Sequence, residues 1–186
     1  MFYVKTIQNF LLLVIFTFTL SACDIEDDLH PSSNDQSTQN IIADDFTVKD
    51  IYNNDFVLYD HLTIGANTSP ADVVVLYFTM YCPICTADTA HIFNTVMPQF
   101  STRGTVAYVL VDYLSGSVST AYDYAVANGV SNPDFFTVLA DIDNIVENQF
   151  NGAMGITVVI ASDGTVLMHE EYNSNNLFDT LDQYLP

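Results

Sequence analysis

Apolar and polar positions alternate in steps of two over DFTVKD (45–50) and DFVLYD (55–60), on either side of Tyr52-Asn53-Asn54. That period predicts two short strands joined in a hairpin. A loop rich in Gly, Asn, Ser and Pro follows, and Val73 to Thr79 is then a continuous apolar run. Such a run predicts a strand buried on both faces. From 83 to 100 the spacing becomes helical, with Ile92, Phe93, Val96 and Phe100 on one side. TVAYVLVDY (105–113) predicts a second buried strand, and SVSTAYDYAVANG (117–129) a helix stopped at Asn128-Gly129. DFFTVLAD (134–141) predicts a short strand and DNIVENQFN (143–151) a short helix. ITVVIASDGTVLMHE (156–170) predicts a hairpin turning at Asp163-Gly164, and NNLFDTLDQYL (175–185) an amphipathic closing helix. Strands alternating with helices and ending in a hairpin imply an α/β sheet with helices on both faces.

The N-terminal part has a different pattern. Lys5 precedes FLLLVIFTFTL (10–20), an apolar stretch of 11 residues. A bilayer span needs about 20 residues, whereas a secretory signal core fits this length. LSAC (20–23) follows directly and resembles the lipobox of bacterial lipoproteins, in which small residues precede a cysteine that is lipidated and becomes the new N-terminus. The resemblance implies a signal peptide over 1–22, lipidation at Cys23 and a membrane anchor there. Asp24 matches the residue that favours retention at the inner membrane in enterobacterial lipoproteins. The expected location is thus the bacterial cell envelope, lipid-anchored at the periplasmic face of the inner membrane. Residues 23–42 then read as the lipid-attachment cysteine and a flexible acidic tether, and 43–186 as the folded domain.

Charge narrows the function classes. The chain holds 23 acidic residues against Lys5, Lys49 and Arg103, a formal net charge of −20. A field of that sign repels phosphate and argues against nucleic-acid binding. Hydrophobic content of 49% is enough for an ordinary core.

The candidate chemistry lies where the strand of 73–79 meets the helix of 83–100. Cys82 and Cys85 are spaced Cys-Pro-Ile-Cys at that junction. A thiolate is the nucleophile in disulfide exchange, and a helix N-terminus lowers a cysteine pKa through its unpaired N–H groups and dipole. Cys82 is expected at that end, with Pro83 pre-set for the first turn, and Cys85 one turn later. Cys82 is then the attacking thiol and Cys85 the resolving one. Outside the cytoplasm such a pair persists oxidised.

DFTVKDIYNNDFVLYD, VVVLYFTMYCPIC and GITVVIASDGTV, in this order, resemble the extracytoplasmic redoxins, which are membrane-tethered, thioredoxin-like thiol–disulfide oxidoreductases. The resemblance covers about residues 43 to 186. It implies a thioredoxin-like fold, a central mixed β-sheet flanked by helices, with an N-terminal β-hairpin. It also implies a redox-active Cys82–Cys85 pair without a further cofactor, and protein thiols and disulfides as partners. Tyr81, Pro83, Ile84, Gly155 and Ile156 are the expected walls of the site. Three positions depart from the family. Tyr81 replaces the usual tryptophan, Leu76 replaces a buried carboxylate of thioredoxin, and Ile156 stands where a cis-proline faces the disulfide. A cis bond before a non-proline costs about 2.5–4 kcal/mol, so the Gly155–Ile156 bond is expected to be trans.

Three other readings compete. Copper binding or delivery would use the soft thiolates with a third ligand, His169 being the best placed in sequence and Met80 and Met154 possible thioether donors. His91 reads as a helix residue without a ligand role. A peroxidase reading rests on FTMYCP (78–83), which resembles the peroxiredoxin stretch with Thr79 three residues before the cysteine, and would need Arg103. The plainest reading is a stabilising disulfide or two inert thiols, although so short a loop gains little from cross-linking.

Overall fold

The computed structural model describes residues 41–65 and 68–185. The signal peptide, Cys23 and nearly all of the tether lie outside the described residues. Seven strands form one mixed sheet in the order β2-β1-β5-β4-β3-β6-β7. β1 (Thr47–Asp50) and β2 (Asp55–Val57) make the N-terminal hairpin, and β1 also runs antiparallel to β5 (Thr137–Ala140). β3 (Val73–Thr79) pairs parallel with β4 (Val106–Asp112), and β4 parallel with β5. On the other side β3 pairs antiparallel with β6 (Ile156–Ala161), which turns at Asp163-Gly164 into β7 (Val166–Glu171).

All seven residues of β3 are buried, as its unbroken apolar run requires. Alternation decides which core each joins. Val73, Val75 and Tyr77 face a cluster covered by α1 (Pro83–His91), α3 (Val118–Ala127) and α5 (Ser174–Tyr184). Val74, Leu76 and Phe78 face the other cluster, covered by α4 (Ile145–Phe150) and the segment from Ala43 to Leu62. Three helices therefore share one face, and a short helix with the N-terminal segment closes the second.

Two expected elements differ in detail. The strand of 55–60 stops at Val57, and Leu58–His61 form a 3-10 turn. Leu58 and Leu62 are both buried at this turn, and Asp45 anchors it by accepting the Tyr59 N–H at 2.9 Å. The helix of 83–100 is continuous but passes through a π-helical turn (Ile92–Val96) into α2 (Met97–Phe100). Pro98 has no N–H to give and its ring crowds the carbonyl four residues back, so a widened turn absorbs it. The Asn94 side chain donates to the Ala90 carbonyl at 2.7 Å within this stretch. Ile92, Val96 and Phe100 stay buried, whereas Phe93 is rotated out and is 36% exposed.

Candidate active site at the β3–α1 junction

The chain leaves β3 through Tyr81, whose φ of 55° lies in the left-handed region that non-glycine residues seldom occupy. Thr79 Oγ1 supports this turn by accepting the Tyr81 N–H at 3.1 Å, and the Tyr81 ring stacks on Tyr124 at 5.8 Å. Burial, with the Asp112 carboxylate nearby, pushes the Tyr81 phenol pKa up. Cys82 is then the N-cap of α1 with Pro83 directly after it, as the motif predicts. Pro83 and Ile84 are exposed.

The two sulfurs lie 2.8 Å apart, Cys82 half-buried and Cys85 fully buried. Cys82 Sγ takes the place of a capping oxygen and accepts the Cys85 N–H at 3.2 Å. Its pKa is lowered, first by the hydrogen bond from the Cys85 thiol and next by the backbone N–H of Cys85. The Ile84 N–H acts in the same direction, while desolvation and the Asp88 carboxylate oppose it. The thiolate is thus stabilised without any basic side chain.

Across the site the bond between Gly155 and Ile156 is trans, because the described chain holds no cis peptide. Gly155 has φ 83°, a conformation suited to glycine, and its N–H and C=O bond to Phe78 and Tyr172. Ile156 opens β6, and its side chain packs with the core on the face away from the dithiol. Met154 is the residue that reaches Cys82. Its Sδ lies 3.3 Å from Cys82 Sγ and the residue is 40% exposed, so it is not core filling.

Beneath Cys85, the Tyr77 hydroxyl donates to Asp88 Oδ2 at 2.8 Å. The Tyr77 phenol pKa is raised, chiefly by burial, then by Asp88 and by the Cys85 thiol it also faces. Tyr172 packs edge to face on Tyr77 at 5.8 Å, and its hydroxyl meets His91 Nδ1 at 2.7 Å. This polar cluster escaped the sequence reading. Its trace was Asp88, one helical turn after Cys85, and a hydroxyl inside an otherwise apolar strand.

The other candidates lie elsewhere. His169 is exposed on β7, opposite Val158, and no group of three or more His, Cys, Asp or Glu side chains is gathered among the described residues. His169 is therefore not gathered with Cys82 and Cys85 among the described residues. His91 is engaged with Tyr172. Arg103 precedes β4 at the end of the sheet away from Cys82, where it pairs with Asp182 and donates to the Leu185 carbonyl at 3.0 Å. The peroxidase reading thus has no arginine at the thiol.

No family model matches the sequence, and no curated protein matches it. Solved structures do resemble the chain. The peroxidoxin BcpB of Mycobacterium tuberculosis superposes with a TM-score of 0.60 at 20% identity, covering 77% of this chain and 96% of that one. A secreted disulfide oxidoreductase of the same organism gives a TM-score of 0.55 at 17% identity, over 74% of this chain and 95% of the other. The thioredoxin domain of a thiol–disulfide oxidoreductase from Bacteroides vulgatus gives 0.57 at 13% identity, over 79% and 97%. By its sheet order and these likenesses, the described chain has the thioredoxin-like fold of thiol–disulfide oxidoreductases and peroxiredoxin-like proteins.

Proposed function

We propose that the protein is a membrane-tethered thiol–disulfide oxidoreductase working through Cys82 and Cys85. The observation that carries this reading is the placement of Cys82 Sγ at the helix N-cap, 2.8 Å from Cys85 Sγ. The Cys82 thiolate attacks one sulfur of a substrate disulfide, forming a mixed disulfide and releasing the other sulfur as a thiolate. Cys85, deprotonated, attacks Cys82 Sγ, closing the Cys82–Cys85 disulfide and releasing the second substrate thiolate. Substrate gains two electrons and the protein loses two; the reverse sequence oxidises a dithiol. Tyr77 and Asp88 offer a path for the Cys85 proton where Leu76 leaves none. No cofactor takes part, and the partners are protein thiols and disulfides. Cys23 carries the lipid that holds the domain at the periplasmic face of the inner membrane.

Equilibration of the chain carrying Cys23→Ser in graded glutathione buffers tests the redox reading. A reversible midpoint between about −270 and −120 mV, the span of known dithiol oxidoreductases, is expected. Thiols that never pair, or a disulfide that no glutathione buffer opens, would sink it. Loss of membrane association on Cys23→Ala in the native host tests the anchor.

Met154 favours one second reading. Cys82 Sγ lies within hydrogen-bonding distance of both the Cys85 sulfur and the Met154 thioether, and the three sulfurs form a soft donor set suited to Cu(I). On this reading the protein carries copper, and Met154→Leu weakens Cu(I) retention against a competing chelator.

A further inference from the structure

Met154 is held beside the thiol pair by the backbone around it. The Ile156 N–H donates to the Ala153 carbonyl at 2.9 Å, closing a turn that contains Met154. The Gly155 N–H donates to the Phe78 carbonyl at 3.0 Å and fastens that turn to β3, just before the loop that carries Cys82. Met154 belongs to neither core cluster, yet its Sδ lies 3.3 Å from Cys82 Sγ. The side chain is 40% exposed, so core packing does not explain where it sits.

Thioether chemistry offers a reason. Two-electron oxidants such as hydrogen peroxide convert an exposed thioether to a sulfoxide, a change that is reversible. A dithiol supplies the two electrons and two protons that the reversal needs. Between separate molecules that reduction is slow. Reactants held in contact behave as though at effective concentrations on the order of 10⁵ M or more, which turns a slow step into a usable one. Here Cys82 Sγ meets the thioether sulfur, and Cys85 Sγ lies 2.8 Å behind it.

A phenol stands at the same place. Burial raises the Tyr113 pKa, the Met154 N–H opposes this by hydrogen-bonding to the hydroxyl oxygen, and negative charge on Cys85, Glu147 and Cys82 adds to the rise. Tyr113 therefore keeps its proton at neutral pH, beside the residue that would carry the sulfoxide oxygen.

We propose that Met154 is a reversible oxidation site whose sulfoxide is reduced in place by Cys82 and Cys85. Hydrogen peroxide leaves one oxygen on Sδ and is itself reduced to water. The Cys82 thiolate attacks Sδ, an S–S bond forms, the S–O bond breaks, and the oxygen departs as water with the two thiol protons. The Cys85 thiolate then attacks Cys82 Sγ. The Cys82–Met154 bond breaks, and its electron pair returns to Sδ as the thioether. The sulfoxide gains two electrons, and the dithiol ends as the Cys82–Cys85 disulfide. While Cys82 and Cys85 are paired, Met154 is the sulfur open to oxidant beside them, and the next reduction of the disulfide repairs it. This activity goes beyond disulfide exchange and shares with that reading the pairing of Cys82 with Cys85.

The test uses the chain carrying Cys23→Ser, with a metal chelator present so that copper plays no part. Oxidised glutathione forms the Cys82–Cys85 disulfide, hydrogen peroxide then oxidises the exposed methionines, and catalase removes the excess. A phosphine opens the disulfide and is removed, and peptide mass spectrometry follows each sulfoxide with time. Met80 is the internal standard. It is 41% exposed, as Met154 is 40%, and makes no such contact with either thiol among the described residues. The Met154 sulfoxide is expected to vanish at least about tenfold faster than that of Met80, at a rate independent of protein concentration. The intact mass is expected to fall by one water as the disulfide reappears. Cys82→Ser, oxidised in the same way and checked for folding by circular dichroism, is expected to keep both sulfoxides. Equal persistence of the two sulfoxides in the parent chain, or a Met154 sulfoxide lost as fast without Cys82, overturns the proposal. Where the disulfide opens and closes in glutathione buffers but the Met154 sulfoxide persists, the repair fails and the exchange reading stands. Thiols that never pair sink both.

Discussion

Tyr77 Oη and Asp88 Oδ2 are hydrogen-bonded at 2.8 Å directly beneath the resolving thiol, joining the central strand to the active-site helix. Three consequences meet at this bond: it fixes α1 against β3, it satisfies a hydroxyl in an apolar strand, and it holds a carboxylate near both sulfurs. Tyr77→Phe removes the donor and leaves the carboxylate short of a partner. A hydrogen bond to a charged group is worth about 1.5–3 kcal/mol, and urea unfolding is expected to show a loss of that order. Asp88→Asn keeps a hydrogen-bond acceptor but removes the charge that raises the Cys82 pKa. The thiolate midpoint of Cys82 is expected to move down. An upward shift in the pH dependence of alkylation would contradict this.

The two cysteines are expected to differ in kind. Cys82 has a lowered pKa, so its reaction with iodoacetamide rises through a midpoint below the ordinary thiol value and is flat above it. Cys85→Ala takes away the largest cause of that shift, the thiol hydrogen bond, and the midpoint is expected to rise. The same variant should trap mixed disulfides, slowing release by about a hundredfold or more, because an intramolecular attack is replaced by one from solution. Cys82→Ser abolishes exchange outright. Mass spectrometry of quenched reactions reads both.

Acid sensitivity is expected from His61. Its ring stacks on Phe56 at 4.4 Å, and burial lowers its pKa, with Asp60 acting in opposition. A lowered folded-state pKa means that the unfolded chain takes up the proton first as pH falls through about 6.5. Stability contributed by the neutral ring is complete above that value and drains away as pH falls toward the folded-state pKa. The drop in melting temperature between pH 7.5 and pH 5 should be smaller in His61→Gln than in the parent chain.

Gly152 offers a packing test close to the site. A Cβ there would lie 2.1 Å from Phe78 Cε1, and Phe78 is fully buried on β3 just before the thiol loop. Gly152→Ala is expected to cost about 1–3 kcal/mol through overpacking. Because α4 and β6 flank this position, the variant should also disturb Met154 and slow exchange. A melting temperature equal to that of the parent would rule out so rigid a contact.

The elements and the dithiol were legible because they depend on near neighbours. Side chains alternate in a strand and recur every three to four residues in a helix, whatever lies outside. The run from Val73 to Thr79, the Asp163-Gly164 turn and Cys82 ahead of Pro83 each carry their structure in a few adjacent residues. Where the detail differed, packing intervened: the second strand ended at Val57 in a 3-10 turn, and the helix carrying Pro98 ran on to Phe100 but widened into a π-helical turn that leaves Phe93 outside the core. The composition of the site was a different matter. Met154 lies 72 residues from Cys82 in sequence, and Tyr172 lies 81 from His91. These meetings follow from sheet order and register, which place the loop before β6 over the N-terminus of α1. No local period encodes that order. The sequence by itself determined the strands, the helices and the thiol pair, since backbone geometry and burial act residue by residue. Only the tertiary structure decided that Met154 rather than Ile156 faces the thiol and that Tyr77 and Asp88 meet beneath it, since each is a contact between segments brought together by the packed sheet.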